Sequence, residues 1–167
     1  MSFSLLPTII TDALTDLTPQ MLRESGVRLL MLDFDNTIVP YTTDVPADRM
    51  IAWLREMMAS DIRICVVSNS RRDRVRVFCE KYGLDCITHA RKPFSKGIRQ
   101  CLQKYGLQPS QCALAGDQIF TDTLGANCAG VKAILVRAIH NHNFWLKARH
   151  LAEKPFIYAA RNRRIKK

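Results

Sequence analysis

The sequence predicts an α/β fold, a three-layer sandwich around a five-stranded parallel sheet, and two observations carry that expectation. From about residue 28 onward, short runs of β-branched and aliphatic residues alternate with longer amphipathic stretches that begin on helix-start signals, the pattern of βαβ units covered on both faces of a sheet. The 167 residues also hold no internal repeat, low-complexity tract or linker long enough to separate one domain from another. One core of ordinary domain size is expected.

Five runs read as the strands: RLLMLDF at 28–34, IRICVVSN at 62–69, CIT at 86–88, CALAGD at 112–117 and VKAILV at 131–136. Between the first two, PADRMIAWLREMMAS starts with a helix-compatible proline and places Met50, Ile51, Leu54, Met57 and Met58 at helical spacing. Ser70 is positioned to cap the next helix, RRDRVRVFCEKYG, with an apolar stripe of Val75, Phe78, Cys79 and Tyr82 and Gly83 as its stop. Ser95 is positioned likewise for KGIRQCLQKYG, which presents Ile98, Cys101, Leu102 and Tyr105 and stops at Gly106. TDTLGANCAG reads as a short helix weakened by Gly125. Three regions follow: an N-terminal segment, 1–27, packing on the core; the main domain, 28–138; and a helical, basic tail, 139–167.

Composition narrows the class. With 47% hydrophobic and 24% charged residues, a disordered, collagen-like or membrane-spanning chain is disfavoured, and no apolar run approaches the roughly 20 residues of a bilayer span. The opening MSFSLLPTII lacks the basic start and cleavage signal of a secretory peptide. Six cysteines without a CxxC pair read as reduced core thiols. A cytoplasmic protein is expected, with peripheral contact at the inner membrane surface left open. The net charge of +10 is unevenly placed: residues 147–167 hold 8 basic groups and 1 acidic, against 17 and 14 in the rest.

The most informative segment is LLMLDFDNTIVP, a buried strand running into two carboxylates. Residues i and i+2 of a strand point the same way, so Asp33 and Asp35 can address one site, at the sheet edge where open parallel sheets bind ligands. Neighbouring carboxylates repel and need a cation or a shared proton. The second strand ends in Ser68, Asn69 and Ser70, offering a hydroxyl and backbone N–H groups to a phosphate. Lys92 follows the third strand, and Asp117 and Asp122 follow the fourth. Arg71, Arg72, Arg74 and Arg76 read as a solvated helix face, with Arg71 or Arg72 in reach of a substrate as the alternative.

In order, DFDNT, VVSNS, the lysine of ARKP and GDQIFTD resemble the four motifs of the haloacid dehalogenase (HAD) superfamily of phosphotransferases and phosphatases. All four match, over residues 28–136. Within it, DFDNT with GDQIFTD on a short chain resembles the subclass IIIA group that includes the YqeG-like proteins and the phosphatidylglycerophosphate phosphatases. The resemblance implies a HAD-like Rossmannoid fold and a set of roles. Asp33 would attack phosphorus and form an aspartyl-phosphate. Asp35 would protonate the leaving oxygen and then activate water. Mg²⁺ would be held by Asp33, the Asp35 carbonyl and Asp117. Ser68, the Asn69 N–H and Lys92 would hold the phosphoryl oxygens, with Thr37 supporting the loop and Asp122 orienting Lys92 or a metal-bound water.

Asp35 and Ser68 lie 33 positions apart, and Ser68 and Lys92 lie 24 apart. Neither gap has room for a cap domain, so an open site is expected. By family analogy such a site suits a large phosphomonoester, or it borrows a lid. The basic tail, with Phe144, Trp145, Phe156 and Tyr158 among it, suits an anionic membrane or, as the weaker alternative, nucleic acid. Phosphatidylglycerophosphate, a phospholipid headgroup phosphomonoester, is the leading substrate. The alternatives are a soluble phosphatase for a sugar phosphate, nucleotide or nucleic-acid end, and a phosphatase-like RNA- or ribosome-associated binding protein.

Overall fold

The computed structural model describes residues 3–70 and 73–139, together with 155, 157 and 158. Arg71, Arg72 and nearly all of the predicted basic tail lie outside the described residues. Six strands form one wholly parallel sheet: β1 (Ile9–Thr11), β2 (Leu29–Leu32), β3 (Arg63–Val67), β4 (Asp85–Ile87), β5 (Cys112–Gly116) and β6 (Lys132–Val136), in spatial order β1-β6-β5-β2-β3-β4. The expected five strands are present. The sixth, β1, comes from the N-terminal segment, where the sequence pattern marks no strand. Its three residues pair with Ile134, Leu135 and Val136 at the sheet edge.

The connections are α2 (Asp48–Ala59) from β2 to β3, α3 (Arg74–Tyr82) to β4, α4 (Lys96–Tyr105) to β5, and α5 (Leu124–Ala129) to β6, with α1 (Pro19–Glu24) ahead of β2. Each strand points alternate residues to opposite faces. Leu30, Leu32, Ile64, Val66, Ala113 and Ala115 therefore meet Met50, Trp53, Leu54, Met57, Val75 and Phe78 on one face. Leu29, Met31, Cys65, Val67, Cys112 and Leu114 meet Ile98, Cys101, Leu102, Ala126 and Ala129 on the other. Burial on both faces explains the unbroken apolar runs. Leu14, Leu17 and Leu22 join the first layer, and the Trp53 indole N–H donates to the Leu17 carbonyl at 2.7 Å.

One helix start differs from the sequence pattern, and one stands where expected without its cap bond. The third helix begins at Arg74, and Asp73, not Ser70, is the residue before it. Ser95 does stand at the N-cap position of α4, though its side chain bonds no backbone N–H there. Gly83, Gly106 and Gly130 close α3, α4 and α5 in the left-handed region, as a C-terminal stop requires.

Candidate active site

The sheet register itself gathers the polar residues. Leu32 pairs with Ala115 on one side and Val66 on the other, and the Asp33 N–H continues the ladder to the Ala115 carbonyl at 2.9 Å. Asp33, Asp117 and Ser68 thus leave three adjacent strands at one edge, where the chain order reverses about β2. Such a reversal opens the crevice in which parallel sheets bind ligands. A cavity of about 510 Å³ lies there, lined among others by Asp33, Asp35, Ser68, Asn69, Lys92 and Asp122.

Lys92 is the hinge of the constellation. Its buried ammonium lies 2.6 Å from Asp33 Oδ1 and 2.7 Å from Asp122 Oδ1. The Asn69 side chain fixes the backbone beneath it: Oδ1 accepts from the Lys92 N–H at 2.6 Å, and Nδ2 donates to the Lys92 carbonyl at 2.9 Å. The sequence motif assigns Asn69 a backbone N–H role; its side chain is in addition a clamp on the lysine. The loop behind this turn packs tightly on α4, because a Cβ at Gly97 would lie 2.6 Å from the Ala90 Cα. Ser68 Oγ accepts from the Ser70 N–H at 3.0 Å, which leaves its own proton to donate elsewhere.

The carboxylate of Asp122 reaches back over the end of β5. A Cβ at Gly116 would meet its Cγ at 2.4 Å, so only glycine permits this approach, and Oδ2 accepts from the Gln118 N–H at 3.2 Å. The segment Ile119–Thr123 is a π-helical turn ahead of α5, a form often found at functional sites. Asn36, in the left-handed region at φ 60°, turns the chain after Asp35, and its Oδ1 accepts from the Tyr41 N–H at 3.3 Å. Asparagine tolerates that conformation. Thr37 is buried beside it.

Asp33, Asp117 and Asp122 each offer one oxygen within 4.8 Å of the others. Burial pushes Asp33 up to about 7; the Asp122 charge adds to this and the Lys92 ammonium opposes it. Burial likewise lifts Asp117 to about 8, with the charges of Asp33 and Asp122 adding to it. Burial alone would lower the Lys92 ammonium, but Asp122 and Asp33 outweigh it and hold the lysine charged. Three acidic groups share one ammonium, and Asp117 Oδ1 is buried without a hydrogen-bond partner. An oxygen-seeking divalent cation fits this donor set. The sequence motifs name Asp33, the Asp35 carbonyl and Asp117 as metal ligands and set Asp122 behind them; by oxygen positions the close trio is Asp33, Asp117 and Asp122.

The consequence for stability has a definite sign. Carboxyls raised above their ordinary value of 3.8 favour the fold while protonated, and that contribution is lost as pH rises through about 7 and 8. Between pH 5 and pH 9 the metal-free protein is expected to lose at least about 1.4 kcal/mol of unfolding free energy, one pKa unit's worth. Millimolar Mg²⁺ should restore most of it at pH 9 and little at pH 5. Denaturant unfolding at both pH values, with Mg²⁺ or a chelator, reads this; a curve that rises toward pH 9 without metal contradicts it.

Sequence reading misses Arg74 and Tyr41, which both line the cavity. The arginine run suggests a solvated face for Arg74, yet its side chain is 12% exposed and lies 3.2 Å from Asp35 Oδ1. The available signal is its position four residues before Phe78, on the face that packs inward. Arg76 is exposed and pairs with Asp73.

Residues 89–155 match a family model described as HAD-hydrolase-like. A Bacillus subtilis (strain 168) protein named "Probable phosphatase YqeG" is 35% identical over 131 residues, covering 78% of this chain and 76% of the relative. Among solved structures, the cobalt-bound deoxy-D-mannose-octulosonate 8-phosphate phosphatase of Haemophilus influenzae superposes with a TM-score of 0.54 at 13% identity, over 81% of this chain and 90% of the other. The 3-deoxy-D-manno-octulosonate 8-phosphate phosphatase of Yersinia pestis gives 0.53 at 19% identity, over 77% and 72%. At these identities the two structures share the fold alone.

Proposed function

The chain belongs to the HAD superfamily of phosphatases, in its YqeG-like group, and from that premise we propose an Mg²⁺-dependent phosphomonoesterase that dephosphorylates phosphatidylglycerophosphate to phosphatidylglycerol. The observation that carries the reaction is the buried Lys92 shared by Asp33 and Asp122 at the mouth of three strands. Asp33 attacks phosphorus, and the bond to the leaving oxygen breaks as Asp35 gives that oxygen a proton. Asp35 then takes a proton from water, whose oxygen attacks phosphorus, and the bond to Asp33 breaks to release inorganic phosphate. Asp122 fixes the Lys92 ammonium. Lys92, the Ser68 hydroxyl and the Asn69 N–H receive the phosphoryl oxygens as their charge shifts. Asp33, Asp117 and the Asp35 carbonyl would hold Mg²⁺, which when bound would supply positive charge to nucleophile and phosphate together.

Several features favour a lipid headgroup as substrate. Between β2 and β3 stand a loop and α2, and between β3 and β4 only α3 with its loops, so among the described residues no cap covers the cavity. Tyr41, Val45, Phe94 and Ile139 are exposed apolar side chains on loops that follow β2, β4 and β6, at the edge that holds the site. The C-terminal excess of charge follows the last of these strands in sequence, and near an anionic leaflet each such charge contributes about 1 kcal/mol. No helix among the described residues is long and apolar enough to cross a membrane, which is compatible with contact from one side.

The test presents phosphatidylglycerophosphate in anionic vesicles beside glycerol phosphate, a nucleotide, a sugar phosphate and a 3′- or 5′-phosphorylated oligonucleotide, with and without Mg²⁺. The lipid is expected to show a kcat/KM at least about tenfold above every soluble substrate, a transition-state preference of roughly 1.4 kcal/mol. Turnover of a soluble substrate with none of the lipid would remove the lipid assignment and leave the phosphatase.

A further inference from the structure

Arg74 is the first residue of α3, and among the described residues its guanidinium meets polar groups in the chain between β2 and α2. Nη1 lies 3.2 Å from Asp35 Oδ1, Nε lies 2.6 Å from Asp44 Oδ1, and Nη2 donates to the Thr43 carbonyl at 3.2 Å. The group's carbon sits 5.1 Å from the centroid of the Phe34 ring, which packs edge-on against Phe78 of the same helix at 5.1 Å. The Thr43 contact is a hydrogen bond and the two carboxylate contacts are ion pairs, which one charged planar fork can hold together. From α3, this one side chain therefore grips both the residue two past the nucleophile and the loop at 40–46 that walls the cavity with Tyr41.

The pairing also says what Arg74 does not do. Among the described residues its polar contacts are with Asp35, Asp44 and the Thr43 carbonyl, none of them with Ser68, Asn69 or Lys92, the residues placed on the phosphoryl oxygens. A fixed Asp35 does matter, because proton transfer to a leaving oxygen requires hydrogen-bond distance and direction. We propose that Arg74 is a positioning residue for this reaction: it holds the Asp35 carboxyl in line with the leaving oxygen and pins the 40–46 loop as a fixed wall of an uncapped site. The proposal rests on the reading of Asp35 as general acid.

The leaving group separates positioning from simple support of the fold. An alkyl phosphomonoester expels a poor leaving group and needs the proton; an aryl phosphomonoester with a stabilised phenolate does not. The quantity to compare is kcat/KM, which follows the first chemical steps. Arg74→Ala is expected to lower it by about 10²-fold for the alkyl substrate, the lower end of what general acid catalysis supplies, and by no more than about threefold for the aryl substrate. Arg74→Lys, one point charge in place of a fork, should recover part of the alkyl loss. Should Arg74→Ala fail to fold, Asp44→Asn keeps the guanidinium but frees the loop, and a smaller alkyl-selective loss is expected. Equal losses on both substrates, or none, overturn the proposal. Asp35→Asn is the reference: if it is leaving-group selective and the Arg74 and Asp44 variants are not, only the proposal for Arg74 falls. If Asp35→Asn is itself unselective, the role assigned to Asp35 falls first and the proposal with it.

Discussion

Asp33→Asn is expected to fold as the parent does and to lose phosphomonoesterase activity by roughly 10⁴-fold or more, the order seen when a catalytic nucleophile is removed. The amide has the same shape but no nucleophilic oxygen. It can still accept from the Lys92 ammonium through Oδ1, and Lys92 keeps its 2.7 Å pair with Asp122. Stability should hold or rise. The Asp33 carboxyl is pushed up to about 7 chiefly by burial, so above that pH its charge weighs against the fold, and the neutral amide removes that weight. Assays of phosphate release and of thermal unfolding at pH 8 read the two effects side by side. A protein inactive because it is unfolded, or one that keeps its activity, contradicts the assignment.

Lys92→Met should have the largest effect on the fold. It leaves the acidic oxygens of Asp33, Asp117 and Asp122, within 4.8 Å of one another, without their ammonium. Breaking a buried ion pair by removing one partner costs about 3–5 kcal/mol, and that loss is expected at pH 8 without metal. The sign with pH again follows from burial: losing the lysine removes what holds the Asp33 carboxyl down, so its folded value rises further and the loss deepens above neutrality. At pH 5, where the Asp33 and Asp117 carboxyls carry protons, the variant should recover much of the parent's stability. Mg²⁺ should stabilise it at pH 8 without restoring turnover, since the phosphoryl oxygens still lack the lysine. Denaturant unfolding at the two pH values measures this, and an equal loss at both would contradict the charge account.

The four longer strands are legible because a strand buried on both faces is a continuous apolar run, as in LLML and CVV. The first strand is not: Ile9–Thr11 is three residues at an edge, with no alternation to mark it and a partner more than 120 positions away. Ser70 resembles a helix cap only locally; in the fold its N–H is bonded to Ser68 at the cavity and the helix starts four residues later. Asp33 and Asp117 stand out because each directly follows a buried apolar strand, and Asp35 and Lys92 are legible by their places in the loops beyond β2 and β4. The amide clamp of Asn69 on Lys92 could not be read so, since it joins the loops after β3 and β4 and depends on their register. Arg74 is hidden by its neighbours. In a run of four arginines over six positions, its helical phase against Phe78 is what marks it as turning inward.

The most direct measurement is a search for the phosphoenzyme. The protein is mixed with substrate and Mg²⁺, quenched in acid within the first turnover, digested and mapped by mass spectrometry for phosphate on the peptide that contains Asp33. The expected result is phosphate on Asp33, formed before inorganic phosphate accumulates and missing from Asp33→Asn. Rapid phosphate release with no phosphorylated peptide on any time scale of the reaction, or phosphate on another side chain, would contradict the central claim.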